Sequence, residues 1–199
     1  MNSVSSKELG KVVGLEDARA RYVEFCKSTV PSSFSLGGMK VVLDCAHGAT
    51  YQVAPGVFSE LGADVTLIGA SPNGMNINDH CGSTHPEAMA QKVVEVGADV
   101  GIAFDGDGDR VIMADHNGEI LDGDDLLYVI ARYSKNEDGF GGVVGTSMTN
   151  LGLEHSLRSH GILFERAGVG DRNVMEMMKE RGWSLGGEPS GHILCTNLT

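Results

Sequence analysis

The stretch D-V-G-I-A-F-D-G-D-G-D-R, residues 99–110, runs from a short apolar segment straight into a loop where carboxylates alternate with glycines. Residues 99–104 have the length and composition of a buried strand. Before them, residues 86–96 read as a helix that opens on Pro86 and is followed by Gly97. The same alternation extends outward in both directions. Upstream, residues 17–27 form an amphipathic pattern and 39–46 a β-branched run after Gly37 and Gly38. Residues 51–61 are helical in pattern, interrupted near Pro55 and stopped at Gly62, and 63–68 are a second strand. Downstream, residues 111–114 and 119–121 suggest a hairpin around His116, Asn117 and Gly118. Helices are expected at 124–133, 150–159 and 172–181, and strands at 142–146, 162–166 and 183–185. Strands alternating with helices predict an α/β fold with mixed, mostly parallel sheets. The hairpin is the natural border, giving expected units of residues 1–117 and 118–199.

The charge balance narrows the function. With 15 Lys and Arg against 27 Asp and Glu, the chain carries −12 and a sequence pI near 4.9. Clustered cations, which phosphate-backbone contacts require, are missing, so neither nucleic acid nor an anionic membrane surface is an expected partner. No apolar run approaches a membrane span of about 20 residues. Residues 1–6 contain no apolar core of a secretory leader, and Cys26, Cys45, Cys81 and Cys195 form no C-x-x-C pair. A reduced cytoplasmic setting with small buried thiols is therefore expected. The acidity is concentrated: residues 105–125 hold eight carboxylates and one Arg, −7 of the −12. Such density is costly unless a cation neutralises it.

Asp105, Asp107 and Asp109 are that cluster's centre. Carboxylates at alternate positions of an extended loop converge on one point, and interleaved glycines let the backbone curve. Three such oxygens suit a hard divalent cation and leave room for water or a phosphate. An EF-hand starting at Asp105 is excluded, because its sixth and twelfth positions are Arg110 and His116 rather than Gly and Glu. An aspartyl nucleophile and a solvated acidic turn are the other readings of these residues. Asp122, Asp124 and Asp125 are expected at a helix N-terminus, where the dipole favours them. Arg110 is suited either to a phosphate beside the metal or to pairing with Asp109.

Two further loops carry polar groups. G-G-E-P-S-G-H, residues 186–192, reads from its composition first as a glycine-rich turn. Glu188, Ser190 and His192 nonetheless supply the acceptors and donors that a sugar ring needs. Residues 168–172, G-V-G-D-R, lack the third glycine of a dinucleotide fingerprint, since Asn173 fills that place. Asp171 is expected as an N-cap, and Arg172 could reach an anion at the helix start. Residues 145–147 read as a turn of little specificity.

The loop G-I-A-F-D-G-D-G-D-R, followed by V-G-D-R and G-E-P-S-G-H, resembles the α-D-phosphohexomutase superfamily. Within it, E-L-G-K-V (8–12), R-Y-V-E-F-C-K (21–27), V-V-L-D-C-A-H-G-A-T-Y (41–51) and P-N-G-M-N-I-N (72–78) are similar to the phosphoglucosamine mutase branch. The resemblance implies that residues 1–117 are the family's second domain and 118–199 most of its third. It implies Mg²⁺ on Asp105, Asp107 and Asp109, Arg110 near the transferred phosphate, and a hexosamine phosphate held by Glu188 and Ser190 with His192 nearby. The implied reaction interconverts glucosamine 6-phosphate and glucosamine 1-phosphate through a phosphoserine, on the way to UDP-N-acetylglucosamine. The family's S-H-N-P serine loop and R-x-S-G-T-E-P phosphate loop do not occur in these 199 residues, and Gly168 stands where some relatives carry a lysine. Expectations therefore divide between part of a mutase, a metal- and sugar-phosphate-binding unit without turnover, another phosphohexomutase, and a hydrolase using an Asp nucleophile.

Overall fold

The computed structural model describes residues 13–134 and 139–198; the 8–12 segment lies outside them. Two mixed sheets follow one another along the chain. The first contains β1 (Lys40–Asp44), β2 (Asp64–Ile68), β3 (Val100–Phe104), β4 (Val111–Asp115) and β5 (Ile120–Leu121), in the order β2-β1-β3-β4-β5. β1, β2 and β3 are parallel, whereas β4 and β5 return antiparallel. The second contains β6 (Val143–Thr146), β7 (Phe164–Ala167), β8 (Leu185–Gly187) and β9 (Ile193–Cys195), in the order β7-β6-β8-β9, with β9 alone antiparallel. The α/β class with mixed sheets is as the sequence pattern implies. β5 completes the first sheet, so the crossing to the second falls at Asp122, a few residues past the hairpin turn.

Helices cover both faces of each sheet, because consecutive residues of a buried strand point to opposite sides. Val41 and Leu43 face a cluster with Ala54 of α2 (Ala54–Glu60), while Val42 faces Met89, Ala90 and Val93 of α3 (Glu87–Val96). In the second sheet Val143 packs with Leu127 and Leu157, from α4 (Gly123–Ser134) and α5 (Leu151–Ser159). Its neighbour Val144 packs with Val174 and Met178 of α6 (Asp171–Arg181). The first helix, α1 (Ala18–Ser28), buries only Val23. Local signals end these helices as expected. Gly97 adopts φ 62 after α3, and Asn150 caps α5 by accepting from the Gly152 amide at 2.7 Å.

The strand expected at 183–185 lies instead at Leu185–Gly187, and β9 had no counterpart in the sequence pattern. Gly186 and Gly187 have no side chains to report burial, yet a Cβ on Gly186 would press on Met178 and Val174 at 2.8 Å. Backbone contact between sheet and helix, which hydrophobic periodicity does not register, sets that strand. Burial pushes all four thiols upward from their ordinary pKa. Among the described residues no helix is long and apolar enough to cross a membrane.

Asp124 lies one residue inside α4 and is only 5 % exposed. Its Oδ2 accepts from the Asn150 amide at 2.6 Å, tying α4 to the start of α5. Burial, more than its neighbours Asp122 and Asp125, raises its pKa. A raised folded-state pKa stabilises the fold below the unfolded value of 3.8, and that contribution is lost as pH rises through the folded pKa. Asp124→Asn keeps an acceptor for Asn150 and removes the ionisation. Urea denaturation should show the stability of D124N relative to the parent increasing from pH 4 to pH 7; a pH-independent difference would contradict this.

Candidate functional site

In both sheets the first strand has its successors on opposite sides: β2 and β3 flank β1, and β7 and β8 flank β6. At such a point the loops leaving the carboxyl ends diverge and open a crevice. The loops in question are residues 45–50 and 105–110 in the first unit, and 146–150 and 188–192 in the second. The acidic loop and the Glu188–His192 segment lie on two of them, whereas the 168–172 segment with Asp171 and Arg172 follows β7.

The acidic loop is shaped by its first carboxylate. Asp105 is 7 % exposed, and its Oδ1 accepts from the Gly108 and Arg110 amides, each at 3.1 Å. The loop is backed by residues 45–50: the Ala49 amide donates to the Gly106 carbonyl at 2.8 Å. A side chain on Gly48 would collide with the backbone of Gly106, so this approach requires glycine. Beneath it Asp44, fully buried, accepts from the Ala46 amide at 3.0 Å and the Gly82 amide at 2.8 Å. Ala46 and His47 are held at φ 52 and 50, a left-handed pair that costs free energy and persists because these bonds impose it. The sequence pattern had not singled out Asp44. Its position at the end of a β-branched run is the signal, because a carboxylate that ends a buried strand has to find donors.

Asp105, Asp107 and Asp109 present ligand oxygens within 4.8 Å of one another. Bonds of about 2.1 Å to Mg²⁺ allow donors about 4 Å across, and Asp107 and Asp109 are exposed side chains able to close that margin. Three hard oxygens on a loop with open positions fit a divalent cation coordinated also by water or phosphate. Arg110 sits between two of them, its Nε 3.9 Å from both Asp105 Oδ2 and Asp109 Oδ1. Asp122 and Asp125 belong elsewhere. Asp122 Oδ1 accepts from the Asp124 and Asp125 amides at 2.9 and 3.2 Å, and Asp125 Oδ2 accepts from the Asp122 amide at 3.1 Å. They form a reciprocal cap on α4, as their helix-terminal reading implies.

The second unit brings its loop to the same place. The Val111 amide donates to the Gly191 carbonyl at 3.0 Å and the Gly123 amide to the Pro189 carbonyl at 3.0 Å. His192 Nδ1 lies 3.2 Å from Asp109 Oδ2. The result is a cavity of about 450 Å³ with walls from both units, including Asp109, Arg110, Glu188, Ser190 and His192. Glu188 Oε1 accepts from the Gly170 amide at 3.0 Å, which orients the carboxylate and joins the 168–170 loop to the wall. Arg172 is not in that wall. It pairs along its own helix with Glu176 at 2.9 Å, and its side chain is 87 % exposed. Sequence reasoning missed Thr146 and Met148, whose turn it passed over, and Asp171, which it took for a cap. Gly170 is the N-cap, and Asp171 is the first residue of α6.

Two α/β units thus set a carboxylate loop against a polar loop across one cavity. The chain belongs to the phosphoglucomutase/phosphomannomutase family: its α/β/α domain II model matches residues 20–118 and its domain III model residues 122–199. The chain is 62 % identical to a phosphoglucosamine mutase of Cellvibrio japonicus over 98 % of its own length and 44 % of that protein's. It is 62 % identical to one of Hahella chejuensis over 100 % and 45 %. It thus spans less than half of the curated relatives it matches. A phosphoglucomutase/phosphomannomutase family protein of Burkholderia thailandensis superposes with a TM-score of 0.79 at 25 % identity, over 91 % of this chain and 40 % of that one. The Aspergillus fumigatus N-acetylphosphoglucosamine mutase, solved in complex with GlcNAc-6P and magnesium, shares the fold at a TM-score of 0.64 and 17 % identity, over 89 % and 40 %.

Gly191 adopts φ 91, and a side chain there would run into the Val111 backbone. Gly191→Ala is therefore expected to cost about 1–3 kcal/mol in urea denaturation. It should also separate the thermal transitions of the two units. A single unshifted transition would show that the junction does not need this backbone.

Proposed function

We propose that this chain supplies the metal- and sugar-binding portion of a phosphoglucosamine mutase, interconverting glucosamine 6-phosphate and glucosamine 1-phosphate in the cytoplasm, toward UDP-N-acetylglucosamine. The observation that carries the reading is the 3.2 Å approach of His192 to Asp109, which puts the acidic loop and the 188–192 loop in one cavity. The names of the 62 %-identical relatives and the magnesium and GlcNAc-6P of the Aspergillus neighbour support it. The phosphoserine that exchanges phosphate with the sugar would come from outside these 199 residues, which contain no S-H-N-P loop.

Asp105, Asp107 and Asp109 hold Mg²⁺ in this reading. A cation held there would supply positive charge to offset that of a phosphoryl group. Arg110, whose Nε stands 3.9 Å from both Asp105 Oδ2 and Asp109 Oδ1, would offer its guanidinium fork to the phosphate. Glu188 keeps Oε1 on Gly170 and leaves Oε2 to accept from a sugar hydroxyl, Ser190 adds a second polar contact, and His192 can donate to or accept from the ligand.

The charge of the wall supports the cation. Asp109, Asp171 and Glu188 share the cavity wall with Arg110, an acidic lining that repels a sugar phosphate by itself. Divalent binding at the three aspartates takes their charge from −3 to −1, and Arg110 brings it to zero. A hydrolase built on an Asp105 nucleophile fits less well, since Oδ1 is already engaged by two amides. Binding without turnover is the second reading.

Isothermal titration of the chain with glucosamine 1-phosphate decides the matter. Affinity should rise at least about tenfold when Mg²⁺ replaces EDTA, because a neutralised site no longer repels the phosphate, and D109N should abolish the rise. Equal affinity under both conditions would overturn the proposal. Turnover should appear when a phosphoserine-bearing first domain is added; its absence with binding intact would favour the second reading.

A further inference from the structure

Part of the cavity wall comes from residues 146–150, the turn leaving the carboxyl end of β6, through Thr146 and Met148. Thr146 is fully buried, whereas Met148 is 70 % exposed. The position of this wall is therefore a property of the turn's backbone rather than of core packing around Met148. Its amides are all engaged. Thr146 donates to Thr149 Oγ1 at 2.9 Å, Ser147 to the Ala167 carbonyl at 3.0 Å and Met148 to Thr146 Oγ1 at 3.2 Å. Thr149 donates to the Thr146 carbonyl at 3.1 Å, and Asn150 to Asp124.

The carbonyls are gathered by one side chain. Arg166, on the neighbouring strand β7 and in register with Gly145, donates from Nη1 to the carbonyls of Thr146 at 3.1 Å and Thr149 at 2.7 Å. Its Nε and Nη2 both reach Glu154 Oε2, at 2.9 Å each, and its guanidinium lies 5.5 Å from the centre of the Phe164 ring. The planar fork is thus fixed on one edge by a carboxylate of α5 and grips the turn with the other. Lysine, a single point charge on a flexible stem, cannot hold two carbonyls and a carboxylate in one plane. Arg166 itself does not line the cavity.

We propose that Arg166 is a positioning residue of the sugar-phosphate site, setting the 146–150 turn so that Met148 forms its apolar wall. This rests on the sugar-phosphate reading above. Met148 then packs on the C–H face of the sugar while Glu188 and Ser190 take its hydroxyls, a division of labour usual in ligand pockets.

The test is methyl NMR on the whole chain labelled at the methionine methyls, comparing R166M, R166K and E154Q with the parent, together with titrations of Mg²⁺ and glucosamine 1-phosphate. R166M should move the Met148 methyl resonance while leaving those of Met89 and Met178 in place. It should weaken glucosamine 1-phosphate at least about tenfold and leave Mg²⁺ affinity within about twofold, since the aspartates belong to the other unit. R166K should recover part of the loss, and E154Q, which keeps the grip on the turn, should lie nearest the parent. An unmoved Met148 methyl in R166M overturns the inference. So does a change shared equally by Met89 and Met178, which marks general loosening. If R166M does not fold, R166K gives the same readings. A parent chain that binds no glucosamine 1-phosphate with Mg²⁺ present sinks the sugar-phosphate reading instead, and the Met148 methyl still decides whether Arg166 positions the turn.

Discussion

Where the two units meet, main chain bonds to main chain. Val111, one residue beyond the acidic loop, donates to Gly191 inside the polar loop, and Gly123, at the head of α4, donates to Pro189. These bonds make the carboxyl ends of two separate sheets a single rim. Without them the aspartates and the Glu188–His192 segment would be two unrelated loops on two domains, and no cavity would span both. The constraint is backbone geometry, so it tolerates only glycine where the loops cross. It also fixes distances that side chains alone would leave loose, such as the approach of His192 to Asp109.

A rim of this kind concentrates electrostatic cost. Three carboxylates converge on the first unit's side and Glu188 and Asp171 stand on the second's, against Arg110. The fold carries that cost with a scaffold of main-chain donors. Asp105 is held by two amides and Asp44, deeper, by two more, and these bonds set the curvature of the loop. Asp107 and Asp109, by contrast, remain exposed side chains, so the fixed part of the cluster is Asp105 and the loop backbone.

Much of this was legible beforehand. Alternating strands and helices marked the α/β class, since burial on both sheet faces leaves continuous apolar runs such as residues 41–43 and 143–144. The spacing of Asp105, Asp107 and Asp109 marked a carboxylate cluster, which the bent loop after β3 brings within 4.8 Å. The strand at 185–187 was misplaced and the one at 193–195 unseen, because glycines and short antiparallel returns leave no hydrophobic period. Arg172 was drawn toward the site by its place at a helix start, while in the fold Glu176 one turn on takes its charge. Arg166 and the 146–150 turn were invisible, since nothing along the chain announces that an arginine on one strand will gather the carbonyls of the next.

What the sequence by itself determined was the inventory: which strands are buried, which loop bears the carboxylates, which segment gathers Glu188, Ser190 and His192. Those are local properties, encoded in periodicity and spacing within a dozen residues. What only the tertiary structure decided was which of these groups share a cavity. Asp109 and His192 are separated by more than eighty positions in the chain, yet lie 3.2 Å apart. That approach depends on two sheets being joined at their carboxyl ends by main-chain bonds. Backbone amides and carbonyls are the same in every residue, so no pattern of side chains announces where they will meet.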